Sequence, residues 1–367
     1  MKLPCNSLLH DLGPLRHCAS LQSLDLSRCR HIARLDPLAG CSDLHSLNLT
    51  GCTGLTALLP ITSSTIGRLR ELQLSGCIQI SDARCLSSSS SLTAVDVRGC
   101  FGLRDGALPS QLSACTRLEA QGCLRLRKIP GGCIHLREVT LSGCHLISSL
   151  EPLTVCAGSL RWVNLSGCMA VEDLGPLSGC SRLYNLDLGG CLKISDLSPL
   201  ASGACDSLEY LNLSGCVGVS SLSPLMSRSS SLICLILCDC TGLRALGEEV
   251  SAMTSLQSLD VSGCSLVPDI KALSSCTGLL GLGLSYCKSL TGLGPLSACT
   301  RLMSLEIKGL KQILDLSPLS TLVEIRHLDM RWTASVETEA CGHVLARMPH
   351  LNSWLCSTSC SRSRVSE

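Results

Sequence analysis

Hydrophobic residues recur along the chain in one fixed frame, LxxLxLxxC. It reads Leu21-Leu24-Leu26-Cys29, then Leu44-Leu47-Leu49-Cys52, then Leu69-Leu72-Leu74-Cys77, and continues to Leu279-Leu282-Leu284-Cys287. A weaker copy is Cys115-Leu118-Ala120-Cys123. Two divergent copies, Leu302-Leu305-Ile307-Leu310 and Ile325-Leu328-Met330-Thr333, close the series. The fourteen copies follow one another at intervals of 21 to 25 residues. Alternation within the frame predicts a short strand whose fourth and sixth residues face inward, with polar residues between them facing out. The Gly-Cys that follows in most copies turns the chain out of the strand. A second motif, DLGPL at 11–15 and 173–177 or DLSPL at 196–200 and 315–319, predicts a short helical or 3₁₀ return, because Pro is tolerated in a first turn. One such unit cannot bury its own apolar face, so the copies must stack and share one core.

A repeat of this length and pattern resembles the leucine-rich repeat. The DLxPL half is similar to the short repeats of internalins and of the leucine-rich regulatory subunit of protein phosphatase 1. Cys in place of the usual Asn is more similar to cysteine-containing leucine-rich repeats. The resemblance covers about residues 5–333 and implies an α/β solenoid, a horseshoe with a parallel concave β-sheet and short helical, 3₁₀ or irregular convex segments. The expected organisation is a solenoid over 1–333, a divergent C-terminal cap over 334–356 with a helical stretch at 334–348, and a disordered tail over 357–367. The Ser run at 86–91 reads as an expanded convex loop and not as a domain linker. Cys5, 24 residues before Cys29, reads as a frame cysteine that leaves only Met1–Pro4 as lead-in.

Composition sharpens this. Only 7 of 367 residues are aromatic, whereas Leu supplies about a fifth of the chain and Cys 28 positions. The core is therefore aliphatic. Twenty cysteines repeat at two frame positions, which argues for packing and not for chemistry. Stacked in register, their side chains point the same way and stay too far apart for an unstrained bridge, so free buried thiols are expected. Such thiols, and the lack of an apolar leader, point to the cytoplasm or nucleus and away from secretion. Cys234 and Cys238 face outward by the frame and read either as reactive or metal-binding thiols or as plain surface filling. Cys341, His343, His350, Cys356 and Cys360 are of zinc-ligand type, but their spacing matches no common finger. They read either as a zinc site or as a frayed cap.

The formal charge of +1 offers no global field for nucleic acid or an acidic membrane. No Walker loop, G-x-S-x-G or H-E-x-x-H occurs, so no enzyme, cofactor or small-molecule substrate is expected. The frame exposes a central outward row: Asp25, Asn48, Gln73, Asp96, Glu119, Thr140, Asn164, Asp187, Asn212, Ile236, Asp260, Gly283, Glu306 and Asp329. It holds no Lys or Arg, which argues against a nucleic-acid groove. Trp162, Tyr184 and Tyr210 read as outward residues of three successive strands, either a binding hot spot or cross-strand packing. The resemblance to the phosphatase regulator implies a protein partner on the concave face, centred on these aromatics with Asn164, Asp187 and Asn212. The alternative is the substrate-recognition subunit of a ubiquitin ligase, a role of many cysteine-containing repeats. Arg104, Arg117, Arg125, Arg127, Lys128 and Arg137 gather in the fifth and sixth units, as solvated surface or as an anion-binding patch.

Overall fold

The computed structural model describes residues 1–58, 68–108, 112–201, 207–225, 229–333 and 339–355. They form two compact units, Met1–Cys191 and Leu192–Glu367. The first holds β1 (Ser23–Asp25), β2 (Ser46–Asn48), β3 (Glu71–Gln73), β4 (Ala94–Asp96), β5 (Arg117–Glu119), β6 (Glu138–Thr140), β7 (Trp162–Asn164) and β8 (Asn185–Asp187). Each pairs in parallel with the next in sequence, frame residue opposite frame residue, as in Leu24↔Leu47 and Val139↔Val163. The second unit repeats the plan with β9 (Tyr210–Asn212), β10 (Cys234–Ile236), β11 (Ser258–Asp260), β12 (Gly281–Gly283), β13 (Ser304–Glu306), β14 (His327–Asp329) and β15 (Ser353–Leu355). β15 lies beyond the last copy of the frame. Its Trp354 stands opposite Leu328, so the expected cap supplies a further strand as well as the short helix Glu339–Leu345. The 357–367 tail lies outside the described residues.

The strands are three residues long because only the LxL core of each copy alternates. Leu24, Leu47, Val95 and Val163 at the fourth frame position, and Leu26, Leu49, Val97 and Leu165 at the sixth, are at most 1% exposed. The sequence-derived motif DLxPL acts as expected and carries a further device. Asp11, Asp173, Asp196 and Asp315 each accept the backbone N–H two residues on, at 2.7–2.8 Å. This fixes the entry to the 3₁₀ turn that Pro starts, and Leu15, Leu177 and Leu319 bury beneath it. The hydrogen bonds from Ser198 and Ser317 hold the Asp196 and Asp315 carboxyls below the usual range.

Every cysteine among the described residues is a free thiol, and the frame cysteines from Cys29 to Cys287 are buried; at the second repeated position Cys18 is exposed, against expectation, because no repeat covers it, and Cys205 lies outside the described residues. In the first unit Cys52, Cys77, Cys100, Cys123, Cys144, Cys168 and Cys191 donate S–H to the sixth-position carbonyl of the repeat before, at 3.0–3.2 Å. Cys240, Cys264 and Cys287 do the same in the second. Thr333, which stands in the cysteine's place in the last copy, donates its hydroxyl to Ile307 O at 2.6 Å. The position favours a small donor, and a thiol supplies one while packing as a hydrophobe; Leu310, buried at the same place, fills it by packing alone.

The reading of Cys5 needs correction. Leu3 pairs through its N–H with Asp25 O and accepts the Cys29 thiol, so Leu3 is the sixth-position residue of a partial copy. Asn6, three residues on, holds the frame-cysteine place and accepts the N–H groups of Leu8 and Leu9. Cys5 instead occupies the preceding left-handed position at φ 60° and is exposed. Ten other copies place Gly there, at φ 65–78°. That residue's N–H reaches into the next repeat, as in Gly76 to Arg98 O at 2.7 Å.

Candidate interaction surface

The outward row is less free than its polarity implies. In β1, Asp25 accepts the N–H of Ser27 at 2.9 Å. Asn48, Asp96, Asn164, Asp187, Asn212 and Asp260 hold the N–H two residues on in the same way at 2.9–3.0 Å, and Asp329 does so at 3.3 Å. These are Asx turns, and they bend the chain out of each strand toward the left-handed residue. Eight of the fourteen row positions thus hold a short side-chain acceptor that Lys and Arg cannot supply, whereas Ile236 and Gly283 have none. The missing basic residues have a local cause at those eight positions, and the row is weak evidence about the charge of a ligand. The signal was present in the sequence as the preference for Asp and Asn over Glu and Gln. Replacing Asn164 by Ala is expected to cost about 1 kcal/mol, because Asn164 Oδ1 also accepts the Ser166 hydroxyl at 2.8 Å, whereas Asn164→Asp keeps both bonds. Equal urea midpoints for the Ala variant and the parent chain would remove this assignment.

Trp162 opens β7 with 42% of its surface exposed. Tyr184 is also exposed but lies one residue before β8. The partner of Trp162 in that strand is Asn185, so Trp162 and Tyr184 are one register step apart. The first unit therefore places Trp162, Asn164 and Asp187 on neighbouring strands, with Tyr184 just ahead of β8. Tyr210, half-buried, opens β9 in the second unit, with Asn212 at its end. None of the seven aromatics is buried. Phe101, Trp162, Tyr184, Tyr286 and Trp332 are exposed, and Tyr210 and Trp354 half-buried. Tyr286 and Trp332 take the left-handed position at φ 61° and 60°. A Cβ on the intervening Gly309 would lie 2.6 Å from the Tyr286 ring, so glycine there makes room for the ring.

Two ion-pair clusters on the sheet were not legible in the sequence. Arg98 joins Asp96 (2.6 Å) to Glu119 (3.1 Å), and Arg117 stands 3.6 Å from Glu119. They line a polar cleft of about 130 Å³ with Glu71 and Gln73. In the second unit Lys308 bridges Glu306 (3.1 Å) and Asp329 (3.3 Å), Arg331 pairs with Asp329 at 2.7 Å, and its guanidinium lies 5.5 Å over the Trp332 ring. Burial opposes ionisation of Asp329, but the bonds from Arg331 and Lys308 outweigh it and hold its carboxyl low.

Cys234 and Cys238, expected to face outward, are half-buried, and burial raises both thiols, Cys238 to about 12 with Asp260 adding to the rise. A reactive cysteine needs the opposite shift. Cys341 is buried on the helix Glu339–Leu345, whereas His343, two residues on, and His350 are exposed. Cys356 and Cys360 lie outside the described residues. Among the described residues no group of three or more His, Cys, Asp or Glu is placed to hold a metal, and no helix is long and apolar enough to cross a membrane.

No protein-family model matches the chain, and no curated protein matches its sequence. Solved structures do. An internalin, InlF of Listeria monocytogenes, superposes with a TM-score of 0.63 at 19% identity, covering 87% of this chain and 83% of that one. The chain has a leucine-rich-repeat fold. A leucine-rich-repeat protein of Leptospira interrogans matches at TM-score 0.58 and 15% identity over 96% and 94% of the two chains. The functional domain of InlJ from Listeria monocytogenes, described as including a cysteine ladder, matches at 0.57 and 18% over 85% and 68%. At these identities the likeness shows the leucine-rich-repeat fold alone.

Proposed function

We propose that this leucine-rich-repeat protein is a non-catalytic scaffold that binds a protein partner on the outward face of its sheet. Trp162, Tyr184 and Tyr210 would make the contact beside Asn164, Asp187 and Asn212. One observation carries the reading: a chain with seven aromatics puts none in its core. Large rings left in water cost solvation and contribute nothing to packing, and they are the side chains that anchor interfaces. Asn164, Asp187 and Asn212 shape the turns that follow the strands, so the rings are the side chains expected to carry most of the binding energy. Free thiols throughout the described residues support a thiol-reducing compartment, the cytoplasm or nucleus.

Affinity capture from cell extract with the parent chain and with the variant Trp162→Ala, Tyr184→Ala, Tyr210→Ala tests this. A bound protein should be lost with the variant, each truncated anchor costing about 2 kcal/mol or more. Matching circular-dichroism spectra must show that both are folded. Capture of the same proteins by both chains would reduce the aromatics to sheet packing.

A further inference from the structure

The residue immediately after the frame cysteine forms a row of its own on the turns of the first unit. Ile78, Phe101, Leu124 and Met169 hold this place and are 43%, 48%, 45% and 45% exposed. His145 holds it in the intervening repeat, where the next residue, Leu146, is exposed instead. The row is rigid, since the N–H groups of Ile78, Phe101, His145 and Met169 each donate to the glycine carbonyl two residues back at 2.9–3.0 Å. Its members stand apart from the core, which is supplied two residues later by Ile80, Leu103, Leu126, Ile147 and Val171. The turns stack as closely as the strands: a Cβ on Gly102 would run into Ile80 O and lie 3.3 Å from Ile78 O.

Cations flank this row. Of the basic residues clustered in the sequence, the structure separates Arg117, paired in β5, and Arg137, before β6, from four on these turns. Arg104, Arg125, Arg127 and Lys128 are exposed, and among the described residues none of the four forms an ion pair. Arg104 and Arg127 occupy the same place in adjacent repeats, and like charges stacked at that spacing are mutually destabilising. The nearby Asp105 is engaged by the backbone N–H of Arg127 at 2.7 Å.

Spacing selects the ligand. Rungs of the row recur at about 4.8 Å, the distance between paired strands. Successive residues on one helix face, three or four apart, rise about 4.5–6 Å. Residues on one face of an extended strand are about 6.6 Å apart and fall out of step within two rungs. Four steps from Ile78 to Met169 span about 19 Å, the length of about 13 helical residues. We propose that this turn edge docks an acidic amphipathic helix of a partner protein, its apolar stripe along Ile78, Phe101, Leu124 and Met169 and its carboxylates against Arg104, Arg125, Arg127 and Lys128. This edge is separate from the sheet face, and the inference does not depend on that face binding anything.

The test is fluorescence anisotropy of the full chain with a labelled peptide of about 18 residues, Leu at helical spacing on one stripe and Glu elsewhere, against a scrambled peptide of the same composition. The helical peptide should bind at least ~10-fold tighter than the scramble. Phe101→Ser with Leu124→Ser should abolish that preference, and Arg104→Glu with Arg127→Glu should weaken binding ~10-fold or more and flatten its salt dependence. The Trp162, Tyr184, Tyr210 variant should bind as the parent does, which separates this surface from the sheet face. Equal binding of the two peptides, or binding of neither, overturns the proposal. So does association with phosphatidylserine-containing vesicles that the Phe101, Leu124 variant loses while no peptide preference is seen; that result would give the edge to a membrane.

Discussion

Raising the pH from about 7 to about 10 under reducing conditions is expected to lower the urea midpoint of the first unit steeply. Burial pushes the thiols of Cys52, Cys123, Cys168, Cys180 and Cys191 from 9.0 to about 12. All five side chains are fully enclosed. Because the folded value lies above the unfolded one, the folded chain holds protons that the unfolded chain gives up. The stabilisation is complete below pH 9 and is lost between pH 9 and 12. At about pH 10 each thiol forfeits on the order of 1 kcal/mol, and the five together several kcal/mol, a large share of the stability of an ordinary domain. Neighbouring thiols are part of this rise: after burial, Cys77 and Cys29 raise Cys52, and Cys144 raises Cys168. Urea titrations at pH 7, 8, 9 and 10 with a phosphine reductant would show it; a midpoint that stays level to pH 10 would refute the assignment of these cysteines as buried, protonated thiols.

Leu141→Ala should destabilise the first unit by about 3 kcal/mol, within the 2–5 kcal/mol span for emptied core leucines. Leu141 is at the sixth frame position, fully buried, and its carbonyl accepts both the Cys168 thiol and the Cys144 N–H. The preceding repeat already places Ala120 there. A second Ala beside it would join two shortfalls of volume into one void, which the stacked backbone cannot close. A loss below about 1 kcal/mol in chemical denaturation would mean that the repeats readjust freely around missing volume.

Strand positions, inward residues and 3₁₀ returns were legible because each copy restates the same pattern, and stacking leaves the pattern no alternative partner. Single residues were harder. Cys5 matched the spacing to Cys29 within the variation of the period, and only its hydrogen bonds show that Asn6 holds the frame place. Tyr184 looked equivalent to Trp162 because both precede a strand core, yet register puts Asn185 opposite Trp162. The outward row was correctly located, but alternation gives only the side on which a residue emerges. That its carboxylates and amides fold back onto Ser27, Thr50 or Ser166 depends on backbone turns beyond the strand. The exposed row from Ile78 to Met169 passed unnoticed because apolar residues beside a frame cysteine look like core.

The direction in which each repeat is bonded has a consequence for how the chain tolerates insertion and loss. In the first unit, the thiol of a frame cysteine reaches to the repeat before, the N–H of the left-handed glycine to the repeat after, and the Asx turn closes on its own repeat. No described thiol, turn or strand in these ladders skips a neighbour. Excising one whole period therefore presents the two cut faces with the same donors and acceptors they had lost. The length of such a chain is a free parameter of its gene, and so, within 21 to 25 residues, is the length of each return, whereas the spacing inside LxxLxLxxC is not: a residue inserted there would take that copy's thiol away from its carbonyl.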